Sequence, residues 1–345
     1  MVSGRIFLPG RAGNSASKSP EANGVSMSQR FEEGTRCCGF TVVRSVTLPF
    51  LRAVAVEAVH AETGARVLHL AADDSENLFS AAFRTPPPDD TGLPHILEHS
   101  VLGGSRKYPV KDPFVEMLKM SMATFINAMT YPDKTVYPVA STVKRDFFNL
   151  VDVYMDAVFH PRITPLTLKQ EGHHFGFSEP GDPASDLRIK GIVYNEMKGA
   201  YSDLDSLVDR TSSQGLFPDS PYGRDSGGDP EAIPTLTYEQ FSRYYRRFYH
   251  PGNAYLFLYG DIPLEEKLAF LNERLSGLGG GPVADSRVTL QETWEHPHRL
   301  EEQYPIDAGE DPARRAAVTV NWLISDVYDP QTDLAMNVVD RLLLG

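Results

Sequence analysis

The chain is poor in cysteine: two residues in 345, Cys37 and Cys38, and these are adjacent. Neighbouring cysteines rarely bridge to one another, and no spaced set of thiols exists, so a disulfide framework and a thiolate zinc cluster are both excluded. A reducing or neutral compartment such as cytosol, mitochondrial matrix or plastid stroma fits this usage. Long apolar runs are missing too. The longest, such as Ala254–Tyr259, has the length of a strand, and no membrane insertion is expected. Positive charge is short: 33 Lys and Arg face 46 Asp and Glu, for a net charge of −13. A nucleic-acid surface needs clustered cations and is not expected here. Acids lining a cavity would attract basic peptides, whereas scattered acids would only aid solubility. With 41% hydrophobic and 23% charged residues, the remaining composition is that of an ordinary soluble globular protein. Its length is enough for two domains.

Histidine is scarce as well, at 10 residues, which makes His95-Ile-Leu-Glu98-His99 conspicuous. On a helix, His95 and His99 sit one turn apart on one face, where two neutral imidazoles can bind one Zn²⁺. Glu98 lies on the same side, placed to accept a proton from water on the metal rather than to ligate it. The context favours a short helix. Asp89–Pro94 is a loop that delivers a proline to the first helical turn, and Gly103-Gly104 stops the helix after Leu102. A third ligand is harder to read from spacing. Apolar residues at Leu187, Ile192, Val193, Met197, Leu204 and Val208 predict one amphipathic helix over that stretch, with Glu196 on it. His173 and His174 are rival ligands, and spacing alone leaves the choice open.

The first 30 or so residues are rich in Gly, Ser, Ala and Asn without periodicity and read as disordered. Arg5, Arg11, Lys18 and Arg30 give this leader the charge sense of a transit peptide, although no Arg-rich amphipathic helix is evident. From Gly39 onward, short alternating segments predict strands at 40–43, 51–59, 65–70, 78–83 and 254–259. Helices are predicted at 113–119 and 145–158. Strands and helices mixed in this way predict an α+β domain, its mixed and largely antiparallel sheet covered by helices on one face. Gly277–Pro282 is the clearest flexible break, and a new strand is predicted at 317–324, followed by a helix from Asp333. This divides the chain into a leader over 1–36, a main domain over 37–295 and the start of a second domain over 296–345. The apolar end at Leu342-Leu-Leu reads as that of a fragment.

The segment Gly92–Pro109 resembles the active-site segment of the pitrilysin-type inverted zincins, in the branch of presequence protease and falcilysin. The likeness continues through Asp112-Pro-Phe114, Thr124–Pro132, Gln170-Glu-Gly172, Gly191–Gly199, Ser226–Pro230 and His250–Asn253. The resemblance implies one zinc ion per chain, held by His95, His99 and Glu196, with Glu98 as general base. It implies substrate contacts at Asn127 and Ala128, and unstructured peptides such as cleaved targeting presequences as substrates. It also implies a pitrilysin-like fold of related α+β domains in two halves that close on a chamber, so that a C-terminal half would complete the site. The leader's charge and the cysteine usage make a mitochondrial or plastid location one expectation, with the cytoplasm as the alternative. One departure stands out: after Gln170-Glu-Gly172 the family usually keeps aromatic and acidic positions, whereas this chain continues His173-His-Phe-Gly-Phe177, and Glu171 is a substitute candidate for the supporting acid. The alternatives are a catalytically silent or structural subunit, and a processing peptidase of the mitochondrial type. The run Ser226–Pro230 disfavours the processing peptidase.

Overall fold

The computed structural model describes residues 31–344 except Asp112, 281–284, Pro305, Asp307, Ala308, Glu310, Pro312, Arg314 and 325–328. The leader expected over 1–36 therefore lies almost wholly outside the described residues. The strands are β1 (Arg36–Cys37), β2 (Phe40–Leu48), β3 (Ala53–His60), β4 (Arg66–Ala72), β5 (Asn77–Arg84), β6 (Ala123–Ile126), β7 (Met129–Thr130), β8 (Lys134–Ser141), β9 (His174–Phe177), β10 (Leu187–Lys190) and β11 (Ala254–Gly260). The helices are α1 (Leu93–Val101), α2 (Pro113–Met120), α3 (Lys144–Phe159), α4 (Pro165–Glu171), α5 (Ile192–Ala200), α6 (Leu204–Leu216), α7 (Tyr238–Phe248), α8 (Leu264–Leu275) and α9 (Pro330–Leu344).

The nine-stranded sheet runs β1-β2-β3-β4-β11-β5-β8-β6, with β7 also paired to β8. Its pairs are antiparallel except β4 with β11, which are parallel. Period-two patterning builds it. Along β11, Ala254, Leu256 and Leu258 are buried while Tyr255, Phe257 and Tyr259 alternate onto the more open face. Helices cover the buried face. In α3 the residues Phe147, Leu150, Val151, Tyr154, Met155 and Val158 form one apolar stripe, laid over β5 and β8. In α8, Leu264, Leu268, Leu271 and Leu275 repeat the pattern and meet α3. The α+β class and the helix-covered, largely antiparallel sheet agree with the sequence reading.

Two local expectations fail. The single helix expected over 187–208 is instead strand β10, helix α5 and helix α6. Gly191 stands extended between β10 and α5, and Asp203 restarts the chain as a cap, its carboxylate accepting from the Ser206 N–H at 2.9 Å. The strand expected at 317–324 has no ladder, and its alternating Val318, Val320, Trp322 and Ile324 are exposed. Period-two sequence makes a strand only where a neighbour accepts its hydrogen bonds. No helix among the described residues is long and apolar enough to cross a membrane.

Candidate metal centre

Helix α1 is enclosed: every residue from Leu93 to Val101 except His99 is buried. Ile96 and Leu97 drive this, since each fully buried side chain contributes roughly 1.5–3 kcal/mol. His95 and Glu98 are carried inward with them, and buried polar groups need partners. His95 finds one in the Gly227 carbonyl, to which Nδ1 donates at 3.1 Å. That bond leaves His95 Nε2 as the bare nitrogen, pointing away from the loop. The entry to α1 is built for the same contact. Gly92 has φ +66°, and a Cβ there would stand 2.5 Å from the Gly227 oxygen.

The bare nitrogens of α1 meet helix α5. His95 Nε2 lies 3.6 Å from Glu196 Oε1 and His99 Nε2 lies 3.7 Å from Glu196 Oε2. Ligand atoms of all three residues fall within 4.8 Å of one another. Nitrogen and oxygen ligands of a tetrahedral zinc stand about 3.3–3.6 Å apart, given bonds of roughly 2.0–2.2 Å. The donor types suit that ion, and the two nitrogen–oxygen separations lie at or just beyond the long end of that spacing. Glycine again permits the approach, because a Cβ on Gly191 would be 1.9 Å from the Gly172 carbonyl oxygen. The start of α5 is thereby seated on the end of α4, which carries Glu171.

Glu171 is buried, and its Oε2 lies 3.5 Å from His99 Nδ1. Its other oxygen accepts from the Gln170 side chain at 2.8 Å. Burial by itself would lower the affinity of His99 for a proton. The Glu171 hydrogen bond, with the charges of Glu98, Glu171 and Glu196, outweighs burial and holds the imidazole above its usual range. The carboxylates favour a positive charge here, whether a proton or a metal ion, and the two compete.

Glu98 faces the sheet edge. Thr130 on β7 donates its hydroxyl to Glu98 Oε2 at 2.5 Å. Asn127 and Ala128 form the break between β6 and β7 on the same edge. The Asn127 N–H donates to Pro138 at 3.1 Å, its carbonyl accepts from the Tyr154 hydroxyl at 3.1 Å, and its side-chain oxygen accepts from the Ala128 N–H at 2.9 Å. The rival ligands are turned elsewhere. His173 Nε2 donates to the Leu236 carbonyl at 3.0 Å and His174 Nδ1 to the Lys169 carbonyl at 2.6 Å. The sequence reading missed Thr130 and the Gly227 carbonyl. The two glycines inside Ser226–Pro230 were the only signal of a backbone brought close to another group.

A model of the insulinase family, peptidase family M16, matches residues 83–175, and a model of the peptidase M16 inactive domain matches 235–345. The chain is 47% identical over 311 residues to "Presequence protease 1, chloroplastic/mitochondrial" of Arabidopsis thaliana, covering 89% of this chain and 28% of that protein. It is 42% identical to the mitochondrial presequence protease of Xenopus laevis, covering 91% of this chain and 31% of that one. "Protein HypA" of Clostridium perfringens is also 42% identical, with coverages of 91% and 32%. The chain thus spans about a third of the length of the curated relatives it matches. Among solved structures, pitrilysin aligns with a TM-score of 0.59 at 20% identity over 73% of this chain and 26% of that one. The periplasmic protease PqqL of Escherichia coli aligns with a TM-score of 0.54 at 21% identity, over 68% and 25%. These two likenesses speak to fold, and the fold is pitrilysin-like. The family models and the sequence relatives show that the chain belongs to peptidase family M16, in its presequence-protease branch.

Proposed function

We propose that this chain carries the catalytic centre of a zinc metalloendopeptidase of the inverted H-x-x-E-H type. The observation that carries the reading is the meeting of His95 Nε2, His99 Nε2 and the Glu196 carboxylate beside an enclosed Glu98. His95, His99 and Glu196 would hold one Zn²⁺. Bound there, the ion supplies Lewis acidity and brings the pKa of a water towards ~7. Glu98, held by Thr130, accepts the proton of the attacking water and returns it to the leaving amine. The Gly227 carbonyl and Glu171 orient the two imidazoles from behind.

The substrates are short unstructured peptides, such as cleaved targeting presequences. The outermost strands beside α1, β6 and β7, suit such a chain, which adds to a sheet edge through its backbone with little sequence preference. Asn127 and Ala128 at the break are the proposed contacts. The names of the relatives support a mitochondrial or plastid setting. Their greater length supports a further half, on the same or a separate chain, that closes the chamber. The same reading places a boundary near residue 295 between the metal-bearing unit and the start of a second one.

The test is cleavage of an unstructured basic peptide by the purified chain, beside Glu98→Gln and a chelator-treated sample, with zinc content measured in each. Zinc-dependent cleavage should fall by about 10²–10⁴-fold in Glu98→Gln while zinc stays bound. Substantial activity in the variant would sink the role of Glu98. A chain that binds no zinc would sink the metal site, and bound zinc without cleavage would favour a catalytically silent unit.

A further inference from the structure

The loop after α6 holds a carboxylate that the proposed chemistry does not use. Asp225 Oδ1 accepts from the N–H groups of Gly227 at 2.9 Å and Gly228 at 3.1 Å. Its Oδ2 accepts from the Tyr201 hydroxyl at 2.7 Å. Tyr201 is the cap residue of α5, the helix that carries Glu196. Gly227, in turn, presents its carbonyl to His95 Nδ1. One side chain is therefore bonded on one oxygen to the loop that orients a candidate ligand, and on the other to the helix that supplies another.

The geometry points to Asp225 as a positioning residue for the metal centre, with Tyr201 as its partner; this rests on the proposed zinc site. Two N–H groups drawn onto Oδ1 curl the loop so that the next carbonyl faces α1. A carbonyl can only accept, so His95 must keep its proton on Nδ1 and leave Nε2 bare. The loop is pinned from its other side as well. The Asp225 N–H donates to Asp90 Oδ1 at 2.8 Å and the Asp229 N–H to the Asp90 carbonyl at 2.8 Å, just before α1 begins. Arg210 lies over the Tyr201 ring at 3.6 Å and limits its swing. Freed of Asp225, the Gly227 carbonyl loses its direction, and His95 becomes a mixture of tautomers, of which only one can ligate through Nε2.

The experiment compares the full chain with Asp225→Ala, Asp225→Asn and Tyr201→Phe. The metal-free proteins are read by the ¹⁵N imidazole signals of His95, and zinc affinity is read by competition with a chromogenic chelator. In the parent chain His95 should be the Nδ1–H tautomer. Asp225→Ala should mix the tautomers and weaken zinc binding by about 10–100-fold. Asp225→Asn keeps the Oδ1 acceptor and should recover most of that loss, and Tyr201→Phe should cost about 3-fold. Folded Asp225→Ala with an unchanged tautomer and parent-like zinc affinity would overturn the proposal. Should Asp225→Ala not fold, a Tyr201→Phe variant with parent-like zinc affinity and an unchanged His95 tautomer would overturn it equally, since that variant removes the Oδ2 contact of Asp225. A parent chain that binds no zinc would defeat the proposed function instead, and the tautomer signals would still decide the role of Asp225.

Discussion

His69 on β4 and His99 on α1 are set against the same core, yet their imidazoles are pushed in opposite directions. Burial lowers both. At His69 it acts with the neighbouring Lys267, against a backbone contact at Gly260, and brings the group to about 3. At His99 burial is outweighed by Glu171, Glu98 and Glu196, and the group is raised. Lys267 shows the same physics from the other side. It is 1% exposed, donates to the Tyr259 carbonyl at 2.8 Å and lies 3.4 Å from His69 Nε2. Burial brings it down to about 7, and the charge of Asp261 opposes that only in part. Desolvation is common to both regions, so it cannot mark a site. The sign of the neighbouring charge does: one pocket of this fold rejects a positive charge and the other gathers one.

The contrast breaks most visibly at Lys267. Its folded pKa of about 7 lies below the ordinary 10.5, so the unfolded chain binds the extra proton between those values. Stability should therefore rise with pH across that window, and the cost of the buried charge is complete below it. Lys267→Met removes the titration and should stabilise the protein by about 2–4 kcal/mol at pH 6, allowing for the lost hydrogen bond. The gain should shrink by about 2–3 kcal/mol by pH 9. Urea denaturation at the two pH values reads this, and a gain independent of pH would show that Lys267 carries no charge penalty.

The opposite pocket is sharpened by Glu171→Gln, which keeps the shape and removes one of the charges that raise His99. His99 should then titrate lower, followed by its ring proton signals in metal-free protein. Zinc affinity should fall by about 10–100-fold, or roughly 1.4–2.7 kcal/mol. His99 unmoved by this change would mean that Glu196 and Glu98 alone set its charge.

How much of this was readable beforehand follows from the range of each signal. His95, Glu98 and His99 share one helical turn, and the Pro94 and Gly103 that bound it are local too, so the sequence displays them. Alternation along β3 and β11 is equally local. Helix α5 was legible as a helix but not in extent, because its start is fixed by Gly191 against Gly172, a contact between distant segments. Glu171 and Gly227 orient imidazoles across 72 and 132 positions of chain, and no spacing rule carries that far. Glu196 as a third ligand was implied by family likeness alone. The strand expected at 317–324 failed for a related reason, since a strand is a property of two segments and the sequence displays one.

The smallest effect expected is at Thr130, and it separates proton handling from metal holding within the cation-gathering pocket. Its hydroxyl touches Glu98 and no candidate ligand, so Thr130→Val removes a donor at nearly constant shape. A hydrogen bond of this kind is worth about 1 kcal/mol net, or roughly fivefold in rate. Single-turnover cleavage of a basic peptide should slow by that amount, with zinc affinity unchanged. If zinc affinity fell with the rate, Glu98 would be acting on the metal and not on the water. The division of labour between α1's glutamate and its histidines would then have to be redrawn.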